Sequence, residues 1–158
     1  MNNLTLLIHY YRDSPERERN LILVRNWAER LGIKSCFFWD KKQDLLDGMI
    51  YRTRALNIMA QRCTTAYVGI WDTDVIIPES QIDNAYQLLC SDESDCVYPY
   101  DGEFRNYKES ATQELAATMN YDKLQASPDY RVRKNRSMVG GALLIRRDKY
   151  LEIGGENE

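Results

Sequence analysis

The chain has 158 residues, with 21 basic and 24 acidic side chains, four cysteines and a single histidine. That length fits one domain able to bury about two-thirds of its unfolded surface, and an overall charge of −3 argues against a general nucleic-acid binder. No apolar stretch approaches the ~20 residues that cross a bilayer, no signal-peptide pattern opens the chain, and the spread of Cys36, Cys63, Cys90 and Cys96 without a C-x-x-C pair argues against zinc. A cytoplasmic, reduced protein is expected, with at most peripheral association at the inner face of a membrane.

Leu4 to His9 reads as a first strand, apolar enough to be buried on both faces. Ser14 is placed to cap a helix, Pro15 suits its first turn, and Glu16 complements the positive end of the helix dipole. Leu21, Val24, Ala28 and Leu31 then form one apolar stripe, which Gly32 closes. Ile33 to Trp39 is a second strand ending at Asp40. After a polar connection from Lys41 to Gly48, a helix follows whose inner face is Leu56, Met59, Ala60 and Cys63. Ala66 to Trp71 is a third strand, and Ile82, Ala85, Tyr86 and Leu89 mark the helix after it.

This β-α-β-α-β-α order predicts an α/β fold: a Rossmann-like, mainly parallel sheet with helices on both faces. Beyond Cys96 the pattern loosens. Asp95 to Tyr98 reads as a short strand, Tyr98 to Gly102 as a turn carrying aromatics, and Glu109 to Asn120 as a helix. Arg131 to Ser137 reads as an irregular basic segment, and Met138 to Ile145 as a strand with Gly140 and Gly141 inside it. Glycine within a strand marks either a bulge or a close approach of backbone or ligand.

The third strand delivers Asp72-Thr73-Asp74 to its own end, with Val75-Ile76-Ile77-Pro78 following. Two carboxylates one residue apart suit a hard divalent cation such as Mn2+ or Mg2+ shared with substrate phosphates; the competing reading is a cap for the helix after Pro78. Ligands of parallel sheets bind beyond the carboxyl ends of the strands. His9-Tyr10-Tyr11-Arg12, Asp40 and the acidic triplet all fall at such ends, which favours the metal reading. The charges are also divided: Cys63 to Phe104 carries nine acidic residues and no Lys or Arg, while Arg131 to Lys149 carries seven basic residues and one acid. Either two solvated faces or a cleft with a cation wall and an anion wall would give that division.

Several stretches together resemble a known family. Arg52-Thr53-Arg54-Ala55-Leu56-Asn57 is similar to an R-x-x-x-x-N helix start. Ala66 to Pro78 is similar to a strand, D-x-D, apolar, Pro segment. Gly140 to Arg146, followed by Tyr150 and Ile153-Gly154-Gly155-Glu156-Asn157-Glu158, is similar to a G-G-x-x-x-x-x-R … F-x-x-x-G-G-F-D-E run. In this order they resemble nucleotide-sugar glycosyltransferases of the A-type fold, near the galactosyltransferase-like and family-two-like enzymes of bacterial polysaccharide and capsule synthesis.

The resemblance implies a single domain over 1–158, with 1–104 as the nucleotide-sugar half and 105–158 as the start of the acceptor half. It implies transfer from a uridine diphosphate sugar to a glycan or lipid-linked acceptor, with inversion. Asp72 and Asp74 would hold the metal and the donor diphosphate, Asp74 more directly. Tyr10 and Arg12 would belong to a donor-binding loop, Asp40 would contact the base, Arg54 and Asn57 would brace the pocket, and Gly140 and Gly141 would admit the sugar or acceptor. Arg131, Arg133, Lys134 and Arg136 would screen the leaving group or pair locally with Asp122 or Asp129; Tyr98 and Tyr100 would stack on a sugar or pack the sheet edge.

The pattern also departs from the family. Glu156 and Asn157 replace an aromatic residue and an aspartate, and the usual general-base motif would lie past Glu158, itself the one remaining carboxylate for that role. A truncated C-terminal side, with self-association through exposed apolar surface, is therefore expected. Two other readings stay open: an inactive nucleotide-sugar-binding accessory domain, and a nucleotidyltransferase. The latter ranks low because Tyr10 to Pro15 contains no glycine or lysine for a phosphate loop.

Overall fold

The computed structural model describes residues 1–40, 51–134 and 140–157. β1 (Leu4–Tyr11) is an interior strand of the sheet, buried continuously from Leu4 to Ile8. Parallel pairing sets β2 (Lys34–Asp40) on one side of it and β3 (Tyr67–Trp71) on the other. The five-stranded sheet has the order β2-β1-β3-β7-β4, with β7 (Ala142–Arg146) and the two-residue β4 (Cys96–Val97) completing it. β7 is antiparallel to both neighbours, so four of the five strands run one way.

Helices cover both faces, as β1's doubly buried pattern requires. On one face, α1 (Pro15–Arg30) and α3 (Glu79–Cys90) pack on Leu4, Leu6 and Ile8. Trp27 of α1 stacks on Trp71 of β3 with ring centroids 5.3 Å apart. On the other face, α2 (Arg52–Arg62) and the short α6 (Arg147–Glu152) bury Leu56, Met59, Ala60 and Tyr150 against Leu7, Val68 and Ile145. α1 begins as its sequence dictates: Ser14 Oγ accepts the Arg17 backbone N–H at 3.2 Å, with Pro15 in the first turn. Its buried face is Leu23, Val24, Trp27 and Ala28; Leu21 and Leu31 lie only at the margin of that core.

Three differences from the sequence reading arise after Cys96. The described part of the segment expected to be irregular, residues 131–134, lies in β6 (Tyr130–Lys134), paired antiparallel with β5 (Glu103–Tyr107), while residues 135–137 lie outside the described residues. In β6 only Tyr130 and Val132 alternate with Arg131 and Arg133, and the ribbon is held by cross-strand contacts together with Phe104 and Tyr107 of β5 against the core. Tyr107 meets Tyr130 edge-on at 5.5 Å, and the Arg105 guanidinium lies 5.0 Å over the Tyr130 ring. Gly140 and Gly141 precede β7 instead of interrupting it, while residues 138 and 139 lie outside the described residues. α4 (Glu109–Thr118) ends just short of Asn120, whose side chain caps the separate α5 (Tyr121–Ala126). Among the described residues no helix is long and apolar enough to cross a membrane. The cysteines are free, Cys36 and Cys63 half-buried and Cys90 and Cys96 exposed.

Candidate functional site

The register brings the three strand ends to one rim. Ile8 pairs with Trp71, and Tyr11 with Asp40, so β1, β2 and β3 all finish at the same edge of the sheet. Asp72 leaves that edge directly, and its backbone N–H donates to the Gly141 carbonyl at 2.9 Å. The triplet then turns sharply. The Trp71 indole N–H donates to the Val75 carbonyl at 2.9 Å, and Val75 and Ile77 anchor in the core on the far side of the turn. Asp74 is therefore presented by a braced turn rather than by a loose loop.

Neither aspartate caps α3. That helix starts with Pro78 at its cap position and has no side-chain cap, which removes the competing reading of the triplet. Instead Asp72 and Asp74 line a cleft of about 1000 Å3 together with Gly140, Gly141, Tyr100 and Arg105. Gly140 and Gly141 have φ of +130° and +79°, a region other residues avoid, and a Cβ on Gly141 would lie 3.2 Å from Val75. The Tyr100 hydroxyl brackets this backbone, donating to the Gly140 carbonyl at 3.1 Å and accepting its N–H at 3.2 Å. Tyr98 lies 5.5 Å from Tyr100 between ring centroids and is exposed.

Asp74 remains in contact with water, yet the surrounding cleft walls and the Asp72 carboxylate hold its pKa above the usual carboxylate range. A divalent cation would relieve both causes, and two carboxylate oxygens are a suitable partial donor set for Mn2+ or Mg2+. Among the described residues no group of three or more His, Cys, Asp or Glu side chains comes together, so substrate or water oxygens would complete the coordination.

A residue not singled out for the site reaches the triplet. Arg52, in the first turn of α2, places Nη2 3.1 Å from Asp72 and Nη1 3.6 Å from Glu156. Arg54, two residues on, is exposed. Asn57 is buried and faces the turn after α6: its Nδ2 donates to the Glu156 carbonyl at 3.0 Å, and its Oδ1 accepts the Glu156 N–H at 3.0 Å and the Tyr150 hydroxyl at 2.8 Å. Arg52 was visible as the arginine of the R-x-x-x-x-N stretch, and a basic residue in a helix's first turn, against the dipole, was the signal of a special role.

Arg12 is exposed and pairs with Glu18 at 3.2 Å. Tyr10 is buried, and burial together with Glu18 pushes its phenol pKa up. The Asp40 backbone is on the rim, but its side chain, those of Arg133 and Lys134, and all of Arg136 and Glu158 lie outside the described residues. Arg131 is exposed on β6. The anion-wall reading fails for the last three basic residues. Arg146 pairs with Tyr67 in the ladder, at the opposite edge of the sheet, and serves Asp92, Asp95 and Asp148. Arg147 donates to the Ala60 and Gln61 carbonyls, and Lys149 to Glu152.

Two predictions arise from the Asn57 turn. Gly155 has φ of +77°, and a Cβ there would fall 2.1 Å from Asn57 Oδ1. Gly155→Ala is expected to destabilise the fold by about 2–3 kcal/mol in urea unfolding, since strain and overpacking act together. The Tyr150 phenol is pushed up to about 12 by burial and by the Glu156 charge, from an ordinary 10.0. Below pH 10 both folded and unfolded states keep this proton and the group is neutral to stability. Between about 10 and 12 only the unfolded chain releases it, so stability falls as pH rises through that window. Tyr150→Phe is expected to flatten this alkaline loss, as measured by unfolding free energy against pH.

No protein-family model matches the chain, and no curated protein does. Solved structures do. The catalytic domain of Drosophila β1,4-galactosyltransferase 7 in complex with xylobiose superposes with a TM-score of 0.52 at 15% identity, over 99% of this chain and 54% of that one. A mutant of the same enzyme in complex with manganese, UDP-Gal and xylobiose gives 0.51 at 15% identity, over 97% and 52%. The chain thus spans about half the length of the solved structures it matches. The likeness establishes the architecture: a mixed α/β domain with a mainly parallel central sheet and the fold of an A-type glycosyltransferase.

Proposed function

We propose that this chain forms the nucleotide-sugar-binding part of a metal-dependent hexosyltransferase, using a uridine diphosphate sugar and a glycan or lipid-linked acceptor, with inversion. The observation that carries this reading is the placement of Asp72 and Asp74. They leave a shared strand-end rim in an A-type fold, cap no helix and face a large cleft. Asp74, with Asp72 beside it, would hold Mn2+ or Mg2+. When bound, the cation would act as a Lewis acid that neutralises charge on the departing nucleoside diphosphate. Gly140 and Gly141 put backbone without side chains beside the two carboxylates, and Tyr100 fixes its course. The resemblance to bacterial polysaccharide-synthesis enzymes supports that setting, with residues 1–104 as the donor half and the remainder opening the acceptor half.

A second reading, donor binding without transfer by this chain alone, is favoured by the state of two of the cleft's other carboxylates. Glu103 pairs with Arg105 at 2.9 Å, and Glu109 takes both guanidinium nitrogens of Arg19, which lowers its pKa. A carboxylate stabilised in its ionised form is a poor general base. Titration calorimetry with UDP and UDP-sugars, with and without Mn2+, tests the common core of both readings. Metal-dependent binding of a uridine nucleotide is expected, and its absence would sink them.

A further inference from the structure

Arg52 stands where local physics disfavours it. α2 has no side-chain cap and no acidic residue in its first turn, so the guanidinium faces the positive end of the dipole uncompensated by its own helix. Compensation comes from two distant carboxylates, Asp72 at 3.1 Å and Glu156 at 3.6 Å, one on each terminal nitrogen. Asn57 holds the Glu156 backbone by both its N–H and its carbonyl, so the second carboxylate stays within reach of Arg52 whatever happens at the first. Asp72 and Glu156 thus share one guanidinium, which cannot neutralise both carboxylates.

We propose that Arg52 is an exchangeable counter-ion of the donor site. It neutralises Asp72 while no divalent cation is bound. With a cation held by Asp74 and Asp72, Arg52 would keep Glu156 as its partner and its freed guanidinium nitrogen would be available to a diphosphate. The inference rests on the donor-site reading above. Both partners of the Arg52–Asp72 pair are about 40% exposed (42% and 43%), and pairs of that kind are weak enough to exchange. The planar fork of arginine suits the receiving diphosphate.

Calorimetric titrations of Mn2+ alone, and of UDP at saturating Mn2+, test the exchange in the wild-type chain, Arg52→Gln and Arg52→Lys. Removing a competing cation from Asp72 is expected to tighten Mn2+ binding in Arg52→Gln by about two- to fivefold. The same variant is expected to weaken UDP binding by about tenfold. A residue that only braces the site would move both affinities the same way. Arg52→Lys keeps the charge, so its Mn2+ affinity should stay within about twofold of wild type while UDP binding recovers only in part. Unchanged or weaker Mn2+ binding in a folded Arg52→Gln, or unchanged UDP binding, would overturn the exchange alone. A wild-type chain that binds neither Mn2+ nor UDP would overturn the donor-site reading as well.

Discussion

Replacing Asp74 by asparagine is expected to abolish Mn2+-dependent binding of uridine nucleotides while leaving the fold intact. The turn that carries Asp74 is held by the Trp71 indole on the Val75 carbonyl and by the burial of Val75 and Ile77, none of which involves its carboxylate. The charge itself is held at a cost, since the cleft walls and Asp72 both raise its pKa. Removing the charge while keeping the shape should therefore leave the melting temperature unchanged or slightly raised, the pattern of a group retained for function at the expense of stability. Metal affinity should move far more. Changes in groups that merely support a metal ligand lower affinity by about 10–100-fold, so loss of the ligand is expected to exceed the upper figure. Asp72→Asn should have the smaller effect on Mn2+, because Asp72 already has Arg52 as a partner. Calorimetry and thermal melting on the same preparations check both halves; unaltered metal binding in Asp74→Asn would remove the donor site from the triplet.

The features legible in the sequence were those encoded locally. Ser14 and Pro15 open α1 through one hydrogen bond and one fixed dihedral, and the apolar runs of β1 and β3 are buried because both faces of the sheet are covered. The acidic triplet was legible for the same reason: a strand end predicts an edge, and parallel order puts the edges together. What escaped was set by distant partners. β5 has no apolar alternation and β6 only the two-residue Tyr130 and Val132, so the strands rest on contacts such as Tyr107 with Tyr130. Arg146, Arg147 and Lys149 looked like a basic wall until antiparallel β7 carried them to the far edge of the sheet. Arg52 and Glu156 are joined across about a hundred residues, and no spacing rule announces a pair of that kind. Asn57 was marked as a brace for the donor pocket; it holds the turn that presents Glu156 to Arg52.

That turn gives the second large expected effect. Asn57→Ala should lower the unfolding free energy by about 3 kcal/mol, read as a shift of the urea midpoint without a change of slope. The amide does three things at once. It pairs with the Glu156 peptide on both sides, as a neighbouring strand would, and it accepts the Tyr150 hydroxyl. Tyr150 is only 2% exposed, so truncation strands a phenolic donor with little access to replacement water. Asn57→Asp tests the donor side separately. It keeps the acceptor for Tyr150 but cannot donate to the Glu156 carbonyl, and it buries a charge beside the Glu156 carboxylate, so it should be no better than alanine at neutral pH. Asn57→Gln should also fail, because Gly155 already presses on the shorter side chain. A loss below about 1 kcal/mol in Asn57→Ala would mean that the bracket contributes little. A loss near the expected value, with UDP binding weakened once folding is restored at low temperature, would tie the stability of this turn to Glu156 and through it to Arg52 at the acidic triplet.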